Sequence, residues 1–233
     1  MGHCEREEKQ GVCKRQSCCF PTVCPFFCTP QYEHVSLLRA LASEKGISSV
    51  RVASGIRADL ALREPEALQV YIQEFTGGQL KLAPEHCVPH VLRAMRKPPL
   101  DVFERFLNFF QEQSRLLGRK QYIVPYLMSA FPGCTEKDMI HLAKWLQARN
   151  WSPKQTQCFI PTPGTMATAY FYSGMNEHGE PLFVARSDKE RLRQHRILMG
   201  EWGKDEQKKG VRHCKNPQTT KISNRQTRNR FTK

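Results

Sequence analysis

Apolar residues recur at three- and four-residue spacing in several windows of this chain, and in the stretches between they tend to alternate with polar ones. His34 to Lys45 carries Val35, Leu37, Leu38 and Leu41 on one side and stops at Gly46, which predicts an amphipathic helix. Pro65–Phe75 repeats the pattern with Leu68, Tyr71, Ile72 and Phe75, closed by Gly77–Gly78. Asp101–Leu117 predicts a long amphipathic helix ending at Gly118. Thr135 is placed to N-cap a helix running to Arg149, with Glu136 and Asp138 acidic in its first turn. A shorter helix is predicted near 188–198. The intervening segments Ser48–Ser54, Gln79–Pro84, Gln121–Met128 and Gln155–Ile160 read as strands.

The strand starts fall near 48, 79, 121 and 155, and each interval holds one strand and one helix. That rhythm predicts an α/β chain with parallel strands and right-handed crossovers. It stops near residue 165, and the rest of 166–200 reads as irregular. The predicted divisions are a Cys-rich segment 1–33, an α/β unit 34–165, an extension 166–203 and a tail 204–233 read as unstructured.

Buried parallel strands usually read as continuous apolar runs. These do not. Lys81 and Glu85 share one face of the second strand, opposite Leu80 and Leu82. Gln155 and Gln157 share a face of the fourth with Phe159, and Tyr122 and Tyr126 share one of the third. The first runs into Ser54, Arg57 and Asp59. Polar groups therefore gather at or beyond the carboxyl ends, where α/β sheets place ligands. Solvated edge residues or structural ion pairs would look the same one at a time. Phe131–Thr135 and Pro161–Thr165 each lead from a strand to a helix start, a geometry that can offer backbone N–H groups to an anion. Ordinary turns also use Pro-Gly pairs.

Composition narrows the class. The chain has 233 residues, 39% of them hydrophobic, enough for a sizeable core. No stretch reaches the roughly 18 uninterrupted apolar residues of a membrane helix, and no charged-then-apolar leader opens the chain. A membrane protein, a secreted disulfide knot and a wholly disordered chain are disfavoured, and a cytoplasmic location is expected. Six of the ten cysteines lie in residues 4–28: Cys4, Cys13, Cys18, Cys19, Cys24 and Cys28. A disulfide scaffold spreads its cysteines along the chain, so the cluster suggests thiolate metal ligands. Reduced cysteines packed as small hydrophobes are the alternative. Cys87, Cys134 and Cys158 read as structural, and His86 beside Glu85 is weak as a ligand. The net charge is +14, and residues 204–233 hold ten Lys/Arg against two acids. Such a tail attracts phosphate backbones.

Several long strings resemble the YgiQ-type radical S-adenosylmethionine (SAM) family, in its carboxyl-terminal part. They are CKRQSCCFPTVC (13–24), SGIRADLA (54–61), LKLAPEH (80–86), VLRAMRKP (91–98), KQYIVPYLMSAFPGCTEKDM (120–139) and QTQCFIPTPGTMATAYFYSGMN (155–176). The resemblance covers about residues 1–200. It implies a partial (β/α)6 barrel with four parallel strands, the third to sixth of the full barrel, plus a C-terminal extension. It also implies reductive cleavage of SAM, in which a reduced [4Fe-4S] cluster supplies one electron and the resulting 5′-deoxyadenosyl radical abstracts a substrate hydrogen. By resemblance, Ser54, Arg57, Glu85, Pro132, Gly133 and Thr135 would contact the cofactor, and Gln155 and Gln157 would line the substrate side. Cys4, Cys13, Cys18 and Cys24 fall where the family also has cysteines and could hold an auxiliary iron–sulfur cluster or zinc.

The family's catalytic cluster uses a CxxxCxxC loop. Cys24-Pro-Phe-Phe-Cys28 has the first spacing, but Gln31 stands where the third cysteine belongs. The first two strands are also missing, and Met1 aligns with an internal position of the family. The expectation is the carboxyl-terminal portion of a radical SAM iron–sulfur enzyme of unknown substrate, incomplete alone and completed by a separately encoded amino-terminal half. Alternatives are a basic RNA-binding module acting through the tail, or an inactive truncated remnant with unpaired sheet edges. The tail's one aromatic residue, Phe231, argues against single-strand stacking.

Overall fold

The computed structural model describes residues 3–4, 11, 13–15 and 17–201. The predicted tail, 204–233, lies outside the described residues, as does Cys214. The elements in order are β1 (His3–Cys4), β2 (Phe27–Cys28), α1 (Gln31–Ser43), α2 (Ala58–Ala61) and α3 (Pro65–Val70), the last continued by a π-helical turn over Tyr71–Phe75. There follow β3 (Gln79–Glu85), α4 (Pro89–Ala94), α5 (Leu100–Leu116), β4 (Tyr122–Ser129) and α6 (Glu136–Gln147). Last come β5 (Gln155–Cys158), α7 (Met166–Ser173) and α8 (Asp188–Leu198).

The central sheet is parallel, in the order β3-β4-β5, and a separate two-stranded antiparallel pair joins β1 to β2. The fold is thus mixed α/β with three parallel strands, and the sheet is open. The predicted strand at Ser48–Ser54 does not form a ladder. Its contact with the sheet is a single parallel bridge, Ile56 to Leu82, with Ile56 N–H donating to the Lys81 carbonyl at 3.2 Å. Val50 and Val52 instead pack against Val35, Tyr71 and Phe75, and Val52 N–H bonds the Phe75 carbonyl at 2.9 Å. Apolar contact with α1 and α3 draws this segment off the sheet edge, and no strand flanks it on its other side among the described residues.

The alternation read from sequence holds in β3, where Leu80 and Leu82 are buried while Lys81, Ala83 and Glu85 are half-buried. Leu80 and Leu82 join Phe103, Phe106 and Phe110 of α5 in one core cluster. A second cluster lies around Met139, Leu142 and Leu146 of α6 and is covered by Ile197 and Leu198 of α8. Of the residues expected inward on α1, Val35 and Leu38 are buried, but Leu37 and Leu41 are exposed because one narrow stripe of this helix meets a partner. Three helices fall where no strong helical pattern was read, and the first of them, Ala58–Ala61, is a single turn. Pro89–Ala94 is short, and Met166–Ser173 is apolar or small nearly all round and shows no amphipathic stripe. Among the described residues no helix is long and apolar enough to cross a membrane.

Phe106 is wholly buried between α5 and the sheet. Phe106→Ala is expected to lower unfolding free energy by about 3–5 kcal/mol, read as a reduced urea midpoint. A loss below about 1 kcal/mol would show that this helix does not anchor the sheet.

Candidate functional site

The carboxyl ends of β3, β4 and β5 lie on one edge of the parallel sheet, and the backbone there is strained. Glu85 and Ala130, the residues at the ends of β3 and β4, both adopt left-handed conformations, with φ of 64° and 58°. Such conformations cost non-glycine residues about 1–3 kcal/mol and concentrate at functional sites. A register shift between Leu82 and Glu85 precedes the first of them, so Glu85 pairs with Leu127 out of step with the rest of β3. This irregularity sets where the Glu85 carboxylate lies.

Lys97 reaches that carboxylate. Its Nζ donates to Glu85 Oε1 at 3.2 Å and to the Ala83 carbonyl at 3.3 Å. Beside this pair a cavity of ≈ 200 Å³ opens, lined by Ile56, Arg57, Ala83, His86, Lys97 and Phe103 among others. Arg57 forks onto Asp59 with bonds of 2.8 and 2.9 Å, and its Nη2 also donates to the Cys19 carbonyl at 3.2 Å. Two cations, one buried imidazole and an apolar wall therefore share one small space.

His86 is buried and neutral. Its Nδ1 accepts from Val88 N–H at 3.0 Å, which leaves the proton on Nε2, 3.6 Å from Cys134 Sγ. Burial lowers the imidazole pKa from 6.5 to about 4. Burial likewise pushes the Cys87 thiol up to about 11 and the Cys134 thiol further still. These thiols are held protonated, which fits the structural role read for them and argues against nucleophilic use.

The Phe131–Thr135 turn differs from the expected anion cradle. Gly133 N–H donates to the Phe183 carbonyl at 2.7 Å, Cys134 N–H to the Phe131 carbonyl at 2.9 Å, and Thr135 N–H to Asp138 Oδ2 at 2.8 Å. Its donors are satisfied internally. Thr135 does N-cap α6, through a capping box with Asp138. Pro132 is buried, and Gly133 takes φ of 90° with Leu182 3.5 Å from the place a Cβ would occupy. This turn contributes shape to the site.

Helix α8 locks the edge from behind. Gln194 is wholly buried; its Oε1 accepts from Ala130 N–H at 3.0 Å and its Nε2 donates to the Cys134 carbonyl at 2.8 Å. His195 Nδ1 lies 3.1 Å from Ser129 Oγ, and Arg191 Nη2 donates to the Phe159 carbonyl at 2.6 Å. These residues, with Lys97, escaped sequence reading. A glutamine in a charged helix carries no local mark of burial.

The structure therefore puts Arg57, Glu85 and the Pro132–Thr135 turn along one edge, but of these only Arg57 lines the cavity. Ser54 is exposed and does not line the cavity. Gln155 and Gln157 pair with Tyr126 and Met128 on the face of the sheet, with Gln155 at the start of β5 and away from the carboxyl edge.

The amino-terminal thiols form a second grouping. Cys18 lies within electrostatic range of Cys4, Cys24, Cys19 and Cys13; its pKa is raised by burial and by those neighbours. Cys4, Cys13, Cys18, Cys19, Cys24, Cys87, Cys134 and Cys158 are in no disulfide. As their side chains lie, among the described residues no three His, Cys, Asp or Glu groups converge closely enough to hold a metal ion.

No protein-family model matches the chain. Its relatives are nevertheless clear. A UPF0313 protein of Geobacter sulfurreducens is 40% identical over 198 residues, 84% of this chain and 33% of that protein. One from Methanosarcina acetivorans is 39% identical over 196 residues, and one from Vibrio vulnificus 37% over 203 residues; each match covers 84% of this chain and 26% of the relative. The chain is homologous to a segment of UPF0313 proteins. It spans a third or less of the length of these relatives.

Two predictions follow from the carboxyl edge. Unfolded His86 takes up a proton near pH 6.5, the folded residue only near about 4. Between those values the unfolded chain binds more protons, so stability falls as pH drops through 6.5 toward 4. The wild type should lose on the order of 3 kcal/mol more than His86→Gln between pH 7 and pH 4 in urea titrations; equal losses would contradict a buried neutral imidazole. Gln194→Leu should cost about 2–5 kcal/mol, because it leaves a buried N–H and a buried carbonyl unpaired. A change under about 0.5 kcal/mol would show that water replaces the amide.

Proposed function

We propose that this chain is the carboxyl-terminal portion of a radical SAM enzyme, forming part of the cofactor-binding wall of a barrel that other polypeptide completes. The observation that carries this reading is the carboxyl edge. There Lys97, which holds the Glu85 carboxylate, lines a cavity together with Arg57, next to two left-handed residues at the strand ends. Similarity to UPF0313 proteins over 84% of the chain is consistent with the family resemblance in sequence.

The residues present do not supply the family's catalytic cluster. Gln31, at the position of the missing third cysteine, donates its Nε2 to the Leu60 carbonyl at 2.7 Å and so anchors α1 on α2. That cluster would supply the electron for the reaction, and it belongs to another part of the full enzyme. What this chain contributes is binding and exclusion of water. Arg57 and Lys97 offer cationic donors to an anionic or carboxylate ligand group, and Leu82, Leu92 and Phe103 give the cavity apolar walls. Pro132, Gly133 and Thr135 shape its neighbour at β4, and Gln155 and Gln157 offer amides on the sheet face for a substrate.

The test is reconstitution. The chain is mixed anaerobically with the amino-terminal part of the Geobacter relative, after iron and sulfide loading, and 5′-deoxyadenosine is measured. The mixture is expected to form it, each part alone is not, and Glu85→Gln should lower the yield about tenfold, equivalent to about 1.4 kcal/mol. A mixture that forms none, although the full-length relative does, would defeat the reading for this chain.

A further inference from the structure

Leu80 and Leu82 of β3 pack on Phe103, Phe106 and Phe110, so α5 covers this face of the strand. Leu82 and Phe103 also line the cavity of ≈ 200 Å³, which therefore lies between the end of β3 and the start of α5. Glu85 is not among its lining residues. The cavity has a closed side and an open one. Leu82, His86, Leu92 and Phe103 are buried, whereas Gly55, Arg57 and Pro99 are exposed. Protein interiors leave few gaps wider than a water molecule, and an apolar cavity of about 150 Å³ already holds benzene. The space under α5 thus has the size and lining for a small aromatic or branched aliphatic body.

Its polar groups are of one sign. Among the described residues no acidic side chain lines it. His86 has both ring nitrogens engaged elsewhere and presents only its ring to the cavity wall. Arg57 uses Nε and Nη2 on Asp59 and the Cys19 carbonyl, which leaves Nη1. Lys97 Nζ donates to the Ala83 carbonyl and to Glu85, and an ammonium has a third N–H to give. Two cationic donors therefore remain at the cavity, a match for the two oxygens of a carboxylate. Helix α5 adds to the same field: its N-cap is Pro99 and no side chain caps it, so its positive end lies uncapped at the cavity wall. An ammonium group entering here would meet cations and no carboxylate.

We propose that this cavity is a binding site for a small apolar monocarboxylate, its aromatic or branched aliphatic body between Leu82, Leu92 and Phe103 and its carboxylate at Arg57 and Lys97. Binding extends both cation networks without breaking them, because Arg57 keeps Asp59 and Lys97 keeps Glu85. The inference goes beyond the reading above: it stands on the cavity, and neither SAM nor an iron–sulfur cluster takes part.

The probe is 3-phenylpropanoate, titrated calorimetrically into the whole chain. The comparisons are 3-phenylpropanol, which lacks the charge, and phenylalanine, which adds an ammonium. The acid is expected to bind at least about tenfold more tightly than either. With the acid bound, amide exchange in the wild-type chain should slow in the segments around 55–58, 82–86 and 98–103, a readout that does not depend on a variant folding. Leu100→Trp, which fills the cavity from α5, should weaken the acid about tenfold or more, and Lys97→Met should bring acid and alcohol to equal affinity. Leu116→Trp, at an exposed position on the far end of α5, is the control and should bind as the wild type does. No binding of the acid, equal affinity of the wild type for acid and alcohol, or slowed exchange confined to other segments overturns the proposal. This titration and the reconstitution described above fail separately, because no SAM is present in the first.

Discussion

One buried amide sets the geometry of the carboxyl edge. Gln194 reaches from α8 to two backbone groups that would otherwise be unpaired, the N–H of left-handed Ala130 and the carbonyl of Cys134. A strained residue at the end of a strand persists only where its surroundings over-determine it. Here the amide, the Arg191 bond to Phe159 and the His195 contact with Ser129 all come from one helix. The C-terminal extension is therefore part of the site's frame. Its apolar residues Ile197 and Leu198 bury against α6, which keeps that helix in register with the strand ends.

The same edge explains why two titratable groups are silent. His86 spans the ends of β3 and β4 with both ring nitrogens engaged, and Cys134 accepts its N–H with the thiol protonated. A buried polar pair of this kind rigidifies when fully satisfied. One residue earlier the Glu85 carboxylate pairs with Lys97, and Lys97 lines the cavity.

Much of the scaffold could be read from periodicity. The helices 65–75, 101–117, 135–149 and 188–198 and three of the four strands appear close to their predicted bounds, because each has a long apolar stripe or a cap such as Thr135. Ser48–Ser54 failed because its valines found partners on α1 and α3 instead of a second strand. The candidate site was legible in kind, as polar residues at strand ends, but less so in detail. The register shift before Glu85 has no sequence signature, and neither does the internal use of the N–H groups at Gly133, Cys134 and Thr135. Lys97 and Gln194 come from elements flanking the sheet, which strand alternation does not report. The cysteine cluster was plain from counting.

The relatives are three or more times longer than the matched segment, and the sheet described here is open. On the proposed reading, an open parallel sheet with its carboxyl edge assembled binds the cofactor before it can catalyse. Hydrogen–deuterium exchange of the chain with and without S-adenosylhomocysteine tests that claim most directly. The account predicts slowed exchange confined to the segments around 55–58, 83–98 and 129–135. Unchanged exchange at saturating ligand, or protection confined to residues outside the carboxyl edge, would contradict it.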